Sequence, residues 1–341
     1  MTPPEWLYFR AMSRRRAHNL ERQKNEVAPC PIISVGNLTT GGTGKTPTVQ
    51  WLTRQLEMRG WKVGVACRGY GGTKSEAGAL VSDGQTTFLS ALEAGDEAVL
   101  HARNLPTVPV AIAQNRHYAV ELCVQAGAKV VVLDDGFQFW SLPRAFDLVL
   151  LDAKRPWGNG RLLPLGRLRE ERASLDRASA IVLTRADRPT MEELARNRTE
   201  IARWTKASIF EAFHAPLDLR DEKTGESLPL SSIKGHDIRA FAGLADNTQF
   251  YRLVRELTGR TVDTPLRERG DHYKWKRRDL WQWTSGSLGE RTLITTEKDA
   301  VKVDPSWVRE PLLSLRIALR LRDNEDELMN LILRSLPTPP R

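Results

Sequence analysis

The sequence contains few cysteines, only Cys30, Cys67 and Cys123 in 341 residues, and they are far apart and odd in number. This spacing predicts neither a disulfide framework nor a zinc site, so a reducing cytosol is the simplest compartment. Long apolar runs are also lacking, because the longest, such as residues 130–133, fall far short of the roughly 20 residues that cross a bilayer. The N-terminus lacks the apolar segment of a secretory signal, so none is expected.

The composition is that of a folded protein, because 40% hydrophobic and 27% charged residues exclude a disordered chain. A length of 341 residues exceeds one ordinary core and suits two domains of about 150 residues each. The net charge is +9 and the sequence pI is near 9.6. Such a basic surface attracts nucleic acid, anionic lipid or a phosphorylated substrate, and charge by itself does not choose among them.

Residues 1–28 contain a basic segment, residues 4–24, with the pattern of an amphipathic helix. Its apolar and basic positions are Trp6, Phe9, Ala17 and Leu20 near one face, and Arg10, Arg14, Arg15 and Arg16 around the rest. This pattern is typical of a helix that lies on an anionic membrane surface. A terminal helix packed on its own domain has the same pattern, so both interpretations stay open.

After this helix, short apolar segments that read as strands alternate with segments of helical character. The predicted strands are 32–35, 62–66, 109–113, 128–133 and 146–151, and the predicted helices are 46–58, 96–103 and 115–125. Fully apolar strands in such an alternation imply an α/β fold with a mainly parallel sheet covered on both faces. The first domain is therefore predicted over residues 29–153.

Residues 154–177 interrupt the alternation with seven basic residues, two prolines and three glycines, and they are predicted to form a connector and hinge. The alternation then resumes with strands at 180–183, near 208–213, 238–242 and 292–295, and with helices near 190–205, 247–258 and 323–335. Residues 178–341 are therefore predicted to form a second, smaller α/β domain, whose last helix could pack back on the first.

A glycine-rich turn follows the first predicted strand and opens a helix. Its sequence is Gly41-Gly42-Thr43-Gly44-Lys45-Thr46, preceded by Thr40. In such a phosphate-binding loop, or P-loop, backbone N–H groups and the helix N-terminus cradle phosphate oxygens. Lys45 would reach the β- and γ-phosphates, and Thr46 would bind Mg²⁺. The strict pattern requires glycine at position 39, so the presence of Thr39 makes this loop a variant.

Two acidic residues, Asp134 and Asp135, follow the apolar residues 130–133. The carboxyl end of a strand is where ligands bind in an open α/β sheet, and a P-loop needs a carboxylate there to hold its metal. A solvated acidic turn is the alternative for this pair read alone. The two residues together with the P-loop predict a site for a nucleoside triphosphate and Mg²⁺, in which either carboxylate could touch the metal.

Two known classes of P-loop protein fit the sequence poorly. Partition-type ATPases place a second lysine just before the paired glycines, where this chain has Thr40. GTPases read guanine through Asn/Thr-Lys-x-Asp after a strand, and residues 184–187 (Thr-Arg-Ala-Asp) only partly match because arginine replaces the lysine.

The P-loop and its surroundings resemble the tetraacyldisaccharide 4′-kinase family of lipid A biosynthesis. The segment Val35-Gly36-Asn37-Leu38-Thr39 leads into the loop, and Pro47 follows it. Further blocks occur in the family's order at residues 68–72, 95–97, 115–116, 134–138, 168–170, 241–243, 271–272 and 295–300. The resemblance covers roughly residues 30–305. One departure is Trp275, where the family usually has phenylalanine, and this exchange keeps an aromatic ring.

The resemblance implies that ATP, with Mg²⁺, phosphorylates the 4′-hydroxyl of a lipid-linked glucosamine disaccharide 1-phosphate. It implies Glu170 as a further metal residue beside Asp134 and Asp135. It selects Asp96 as the base for the hydroxyl proton, with His272 as its partner from the second domain. Read alone, Asp96 would be an ordinary acid at a helix N-terminus, and His272 an ordinary surface or core histidine.

Further residues are candidates to contact phosphate oxygens, the sugar or the nucleotide. They are Tyr70, Asn115, Arg116, Gln138, Arg167 and Arg169, with Arg116 also expected to act in catalysis. Arginine binds phosphate oxygens bidentately, although a solvated surface charge is the alternative for any one of them. The resemblance further implies a peripheral protein at the cytoplasmic face of the inner membrane of a Gram-negative cell.

We expect a monomer that binds no nucleic acid. A P-loop NTPase that acts as a switch or chaperone on a protein or nucleic acid is the alternative function. It would use the same loop and explain the basic charge, but it would leave residues 271–272 and the second domain unexplained.

Overall fold

A computed structural model of the chain describes residues 1–24, 26–244, 246–264, 269–270, 273–284 and 292–337. The strands are β1 (Ile32–Asn37), β2 (Val63–Cys67), β3 (Ala79–Asp83), β4 (Pro109–Ile112), β5 (Val130–Asp134), β6 (Phe146–Asp152), β7 (Ala180–Thr184), β8 (Ser208–Asp221), β9 (Ser227–Leu228), β10 (Ile238–Ala240), β11 (Val262–Asp263), β12 (Thr292–Thr296) and β13 (Leu312–Leu321). The helices are α1 (Pro3–Gln23), α2 (Lys45–Glu57), α3 (Ala91–Ala94), α4 (Asp96–Asn104), α5 (Arg116–Gln125), α6 (Met191–Ile201), α7 (Thr248–Thr258), α8 (Arg277–Thr284), α9 (Glu297–Ala300) and α10 (Glu325–Arg334). Short 3₁₀ helices span Arg172–Arg177, Leu230–Ile233 and Pro305–Trp307.

The strands form one sheet in the order β11-β10-β12-β13-β8-β7-β6-β1-β5-β2-β4-β3, with β9 beside β8. From β4 to β7 all neighbours are parallel, and β3 is added antiparallel at the edge. Successive residues of β1 enter different clusters, because Ile33 packs with α2 residues and Ile32 with α5 residues. Both faces of the sheet are therefore covered, which confirms the predicted α/β fold with a mainly parallel sheet.

The long strand β8 joins two halves of the sheet. The first half contains β1 to β7, and the second half contains β9 to β13. Residues 208–211 pair parallel with β7, and the remainder of β8 pairs antiparallel with β13. Strand β13 in turn pairs parallel with β12, which pairs with β10. The strand that was predicted to end near residue 213 thus continues to Asp221, and β3 and β13 lie where no strand was predicted.

Helix α10 returns from the second half and packs on the first. Its buried residues Leu328, Met329 and Ile332 share a cluster with Val49 and Leu52 of α2. Strand β7 also extends the parallel sheet directly beside β6, so hydrogen bonding runs on through the connector region. The division into domains at residues 177 and 178 stays a prediction.

Helix α1 is present as predicted, and it rests on the protein through one side. Its N-terminus has a capping box, in which the backbone N–H and the hydroxyl of Thr2 both donate to the Glu5 carboxylate. Glu5 also binds Arg161, and the Tyr8 hydroxyl donates to the carbonyl of Arg169 at 3.0 Å. Trp6 is 45% exposed, so the predicted apolar face is only partly buried. Among the described residues, no helix is long and apolar enough to span a bilayer.

Candidate active site

The P-loop lies between β1 and α2 and adopts a conformation that only glycine permits readily. Gly41 has φ +111° and Gly44 has φ +84°, both in the left-handed region. Gly44 precedes the first residue of α2, and a Cβ there would lie 2.5 Å from the imidazole of His214. Pro47 stands in the first turn of α2, where its missing N–H costs no hydrogen bond. A glycine-rich turn that leads into a helix N-terminus is a geometry that suits an anion.

Side chains from neighbouring strands hold this loop in place. The Asn37 amide donates to the carbonyl of Thr39 at 2.6 Å and to the hydroxyl of Thr43 at 2.9 Å. The Thr184 hydroxyl at the end of β7 donates to the carbonyl of Thr43 at 2.9 Å. The Thr40 N–H donates to the carbonyl of Arg167 at 2.7 Å. These bonds preorganise the loop, and sequence reasoning assigned no role to Asn37 or Thr184.

Lys45 faces the predicted acidic pair across the edge of the sheet. Because β1 and β5 are adjacent and parallel, with Val35 beside Asp134, their carboxyl ends meet next to the loop. The Lys45 ammonium lies 3.6 Å from Asp135 Oδ1 and 3.4 Å from Asn37 Oδ1. The structure thus brings together the loop lysine and the acidic pair that the sequence placed about 90 residues apart.

Asp135 is held by two cations. Its backbone has φ +54°, a conformation that aspartate tolerates better than most residues. Arg169 donates to both carboxylate oxygens at 2.8 Å. Burial raises the pKa of Asp135, but the charges of Lys45 and Arg169 outweigh it and hold the pKa below its usual range. Asp135 is therefore an anion that keeps both basic side chains at the loop.

Asp134 has a different environment. It is buried, and its Oδ2 lies 3.1 Å from Nε2 of His101, a fully buried residue of α4. In the part of the chain that the structure describes, Asp134 Oδ1 has no hydrogen-bond partner. A buried carboxylate oxygen without a partner is costly and fits a ligand for a hard cation such as Mg²⁺. Sequence reasoning assigned no role to His101.

The predicted residues Gln138, Arg169 and Glu170 form one network with the loop. The Gln138 amide donates to the carbonyl of Asn37 and to Glu170 Oε1, both at 3.0 Å. Arg177 donates to the same Glu170 oxygen at 3.0 Å. Glu170 is buried, so its charge is balanced by Arg177 from the connector. The network links the connector to the strand end from which the P-loop starts.

Asp96 begins α4 and is met by a lysine of the second half. Its Oδ1 accepts from the N–H of Glu97 at 3.0 Å, and its Oδ2 lies 4.0 Å from the Lys302 ammonium. Lys302 is 2.8 Å from Asp299, whose carboxylate also accepts from the Gly243 N–H. The second half therefore places a cation beside the predicted base.

Two further contacts join α4 to α9. Lys298 lies 3.3 Å from Glu97, and Asn104 donates to Glu297 at 2.6 Å. Burial raises the pKa of the Glu297 carboxyl. The predicted partner His272 and its neighbour Asp271 lie outside the described residues, so the pairing of Asp96 with His272 stays a prediction.

The remaining predicted substrate residues lie at several places around this edge. Asn115 caps α5 by accepting from the His117 N–H at 3.2 Å. Arg116 is buried over the ring of Phe139, and burial, together with nearby Arg68, lowers its pKa to about 10. Tyr70 is 65% exposed.

Arg167 is exposed and approaches the P-loop. Its NH1 lies 4.0 Å from the position that a Cβ on Gly41 would take. Its main chain accepts from Thr40, as described above, so the connector contacts the loop both through its backbone and near this guanidinium. This position fits a side chain that contacts phosphate.

Comparison with known proteins identifies the family. The family described as LpxK, tetraacyldisaccharide-1-P 4'-kinase, matches residues 1–337. The tetraacyldisaccharide 4'-kinase of Anaeromyxobacter sp. (strain Fw109-5) is 39% identical over 305 residues, which are 88% of this chain and 81% of that protein. The one from Syntrophobacter fumaroxidans is 40% identical over 303 residues, 87% of this chain and 77% of that protein.

A solved structure gives the same result for the fold. The chain is similar to LpxK from Aquifex aeolicus in complex with ATP, with a TM-score of 0.77, 30% sequence identity and 98% of each chain covered. With a family match over almost the whole length and relatives near 40% identity, the chain belongs to the tetraacyldisaccharide 4′-kinase family, the ATP-dependent kinases of lipid A biosynthesis.

Proposed function

We propose that the chain transfers the γ-phosphate of ATP to the 4′-hydroxyl of a tetraacylated glucosamine disaccharide 1-phosphate through a site built by both halves of the sheet. The observation that carries this proposal is the convergence of Lys45 with Asp134 and Asp135 at the P-loop, while Lys302 of the second half reaches Asp96. Phosphoryl transfer needs charge neutralisation, in-line placement and a base for the hydroxyl, and these groups could supply each.

The phosphates of ATP would be bound by residues 40–46. Backbone N–H groups of the loop would hold the phosphate oxygens, and Lys45 would move from Asp135 towards the β- and γ-phosphates. Thr46, Asp134, Asp135 and Glu170 would hold Mg²⁺, which when bound neutralises charge on the transferring phosphoryl group. Support for this set comes from its hard oxygen ligands and from the unpartnered Oδ1 of Asp134.

The proton of the 4′-hydroxyl would pass to Asp96. A carboxylate paired with an imidazole can accept this proton and be reset afterwards, so His272 is proposed as its partner. The Lys302 ammonium near Asp96 supports a position where the two halves meet. Asn115, Arg116, Gln138, Arg167, Arg169 and Tyr70 would orient the sugar and the phosphates, and Arg116 would also act in catalysis.

The protein would work as a peripheral monomer at the cytoplasmic face of the inner membrane, without binding nucleic acid. Exposed Trp6 and Leu7 on α1, beside its arginines, support contact with an anionic lipid surface. Sedimentation with vesicles tests this: binding should require anionic lipid and weaken with salt. Equal binding to neutral vesicles would contradict the electrostatic part.

A phosphoryl-transfer assay tests the proposed function. Purified protein with Mg-ATP and the disaccharide monophosphate in detergent micelles should yield a lipid product with a second phosphate, located at the 4′-position by NMR. Lys45→Ala should lower kcat/KM by at least about 100-fold, because it removes a charge from the transition state. Lys62→Ala, which changes an exposed lysine, should leave the rate unchanged.

The same assay has an outcome that contradicts the proposed function. ATP hydrolysis without a phosphorylated lipid, in conditions where an authentic kinase of the family is active, would overturn the proposal and favour an NTPase switch.

A further inference from the structure

Three side chains with different ligand atoms converge beside the P-loop. Cys67 ends β2, Asp134 ends the adjacent parallel strand β5, and His101 comes from α4. The register pairs Ala66 with Leu133, so Cys67 and Asp134 are the next residues on neighbouring strands. One ligand atom from each of the three residues lies within 4.8 Å of the others, and all three residues are buried.

This cluster has unused ligand capacity in a buried place. His101 is fully buried in α4, where the buried residues also include Ala98, Leu100 and Ala102. Within the described segments, His101 Nδ1 and Asp134 Oδ1 have no hydrogen-bond partner. An apolar side chain at position 101 would avoid the cost of burying an imidazole with an unsatisfied nitrogen. Unsatisfied buried groups of this kind call for an explanation, and a bound ion provides one.

We propose that Cys67, His101 and Asp134 form a binding site for a thiophilic divalent cation of the Zn²⁺ class. Sulfur, imidazole nitrogen and carboxylate oxygen are the ligands that Zn²⁺ takes, whereas Mg²⁺ prefers oxygen alone. Binding releases the thiol proton of Cys67, because the coordinating species is the thiolate. Thiolate and carboxylate then balance the two charges of the cation, so the buried site becomes neutral. The fourth position would be taken by water.

The sulfur ligand distinguishes this cluster from a buried hydrogen bond between two side chains. A hydrogen bond between His101 and Asp134 by itself would not require a sulfur ligand at the next strand end.

The site would regulate the proposed kinase, and this consequence rests on the proposed function. Asp134 is shared between the Cys67–His101–Asp134 cluster and the proposed Mg²⁺ site. A thiophilic cation in the cluster would occupy Asp134 and so inhibit phosphoryl transfer, and excess Mg²⁺ would relieve the inhibition poorly because Cys67 and His101 do not bind it well.

Cobalt spectroscopy of the purified protein tests the site without any kinase assay. One equivalent of Co²⁺ should give a near-ultraviolet thiolate-to-cobalt band and visible bands of tetrahedral intensity. Removing a residue that only hydrogen-bonds to a metal ligand weakens metal binding by about 10- to 100-fold. Removing the sulfur ligand itself in Cys67→Ser should therefore weaken Co²⁺ binding by at least about 100-fold. Cys123→Ala is the matched control, since Cys123 is equally buried and lies outside the cluster, and it should keep the band.

The kinase assay supplies an independent arm. Micromolar Zn²⁺ should inhibit the wild type and Cys123→Ala, while Cys67→Ser should have wild-type basal activity and resist Zn²⁺. No thiolate band in the wild type, or a band that survives Cys67→Ser, overturns the cation site even if the kinase is active. A cobalt band in a protein without lipid kinase activity instead overturns the proposed function and leaves the site standing.

Discussion

At the scale of single residues, Gly44 is a P-loop position at which both the backbone conformation and the packing disfavour a side chain. A side chain there meets a positive φ and the His214 ring at 2.5 Å. Gly44→Ala should therefore displace the loop and raise the Kd for ATP at least tenfold, measured by calorimetry. Gly60 has a similar φ of +83° with no atom within 4 Å of an added Cβ. Gly60→Ala should cost about 1 kcal/mol of stability and leave ATP binding unchanged. Equal Kd values for both variants would contradict this role of Gly44.

His214 predicts a pH dependence of stability. Burial, with Arg185 and Arg188 nearby, lowers its pKa to about 4 from a usual 6.5. Its Nε2 has no partner among the residues described. In the unfolded chain the ring takes a proton as the pH falls below about 6.5, whereas in the folded protein it does so only near 4. Its contribution to stability is thus complete above pH 6.5 and is lost as the pH falls towards 4.

Denaturant titrations between pH 7 and pH 4 measure this effect. The free energy of unfolding should fall by up to about 1.4 kcal/mol per pH unit through this residue. His214→Gln should remove that part of the slope, and His236→Gln, which changes an exposed histidine, should retain it. An unchanged slope in His214→Gln would show that the ring titrates alike in both states.

The sequence could predict those residues of the candidate site that belong to a local sequence pattern. Lys45 and Thr46 occupy fixed places in the loop, and Asp134 ends an apolar strand, so local rules locate them. Asp96 could be selected only through the resemblance to a family. Thr184, His101 and Lys302 act through contacts between distant segments, which spacing along one chain does not specify.

At the scale of secondary structure elements, the predicted β8 was too short. The prediction ended it near residue 213, and Pro216 follows shortly after. Strand β8 continues because β13 pairs with it, and the register shift between Arg316 and Ile317 lies opposite residues 216–218. The proline thus sits at an irregularity of the ladder, where prolines are tolerated in strands. The partner strand lies about 100 residues away, so no local pattern could reveal this pairing.

The contact between α9 and α4 gives a prediction at the same scale. Lys302 lies directly after α9 and meets Asp96 at 4.0 Å and Asp299 at 2.8 Å. Lys302→Met should lower kcat by about tenfold, equivalent to about 1.4 kcal/mol, and leave the KM for ATP unchanged. Lys302→Arg should recover most of the loss because it keeps the charge. The exposed Lys234→Met serves as control. A change in KM for ATP alone would place Lys302 at the nucleotide instead.

At the scale of the whole molecule, one sheet continues through both halves while the site draws on each. The two long strands β8 and β13 carry the join, and the connector at residues 154–177 contacts Thr40 through Arg167 and Asp135 through Arg169. A kinase must exclude water from ATP, so we propose that the two halves close around it. The hinge predicted within residues 154–167 stays a prediction. X-ray scattering should show a smaller radius of gyration with both substrates bound. Identical scattering profiles with and without substrates would contradict closure.

The fold class could be predicted from the sequence because strand–helix alternation is a local pattern with one common solution. The relation between the halves could not, because β7, β8 and α10 cross the predicted boundary through pairing and packing. Strand β7 reads as the start of a new domain by its position after the connector, yet it pairs with β6.

Asp96 and the P-loop are proposed to form one phosphoryl-transfer site. The most direct measurement is the single-turnover rate of γ-phosphate transfer to the disaccharide monophosphate by Asp96→Asn at saturating Mg-ATP, alongside its Kd for ATP. Glu76→Gln, which changes an exposed carboxylate, is the control. Asp96→Asn should bind ATP with a wild-type Kd and transfer phosphate at least about 100-fold more slowly, since the base is lost and ATP binding is not. A wild-type transfer rate in Asp96→Asn would remove Asp96 from the role of base.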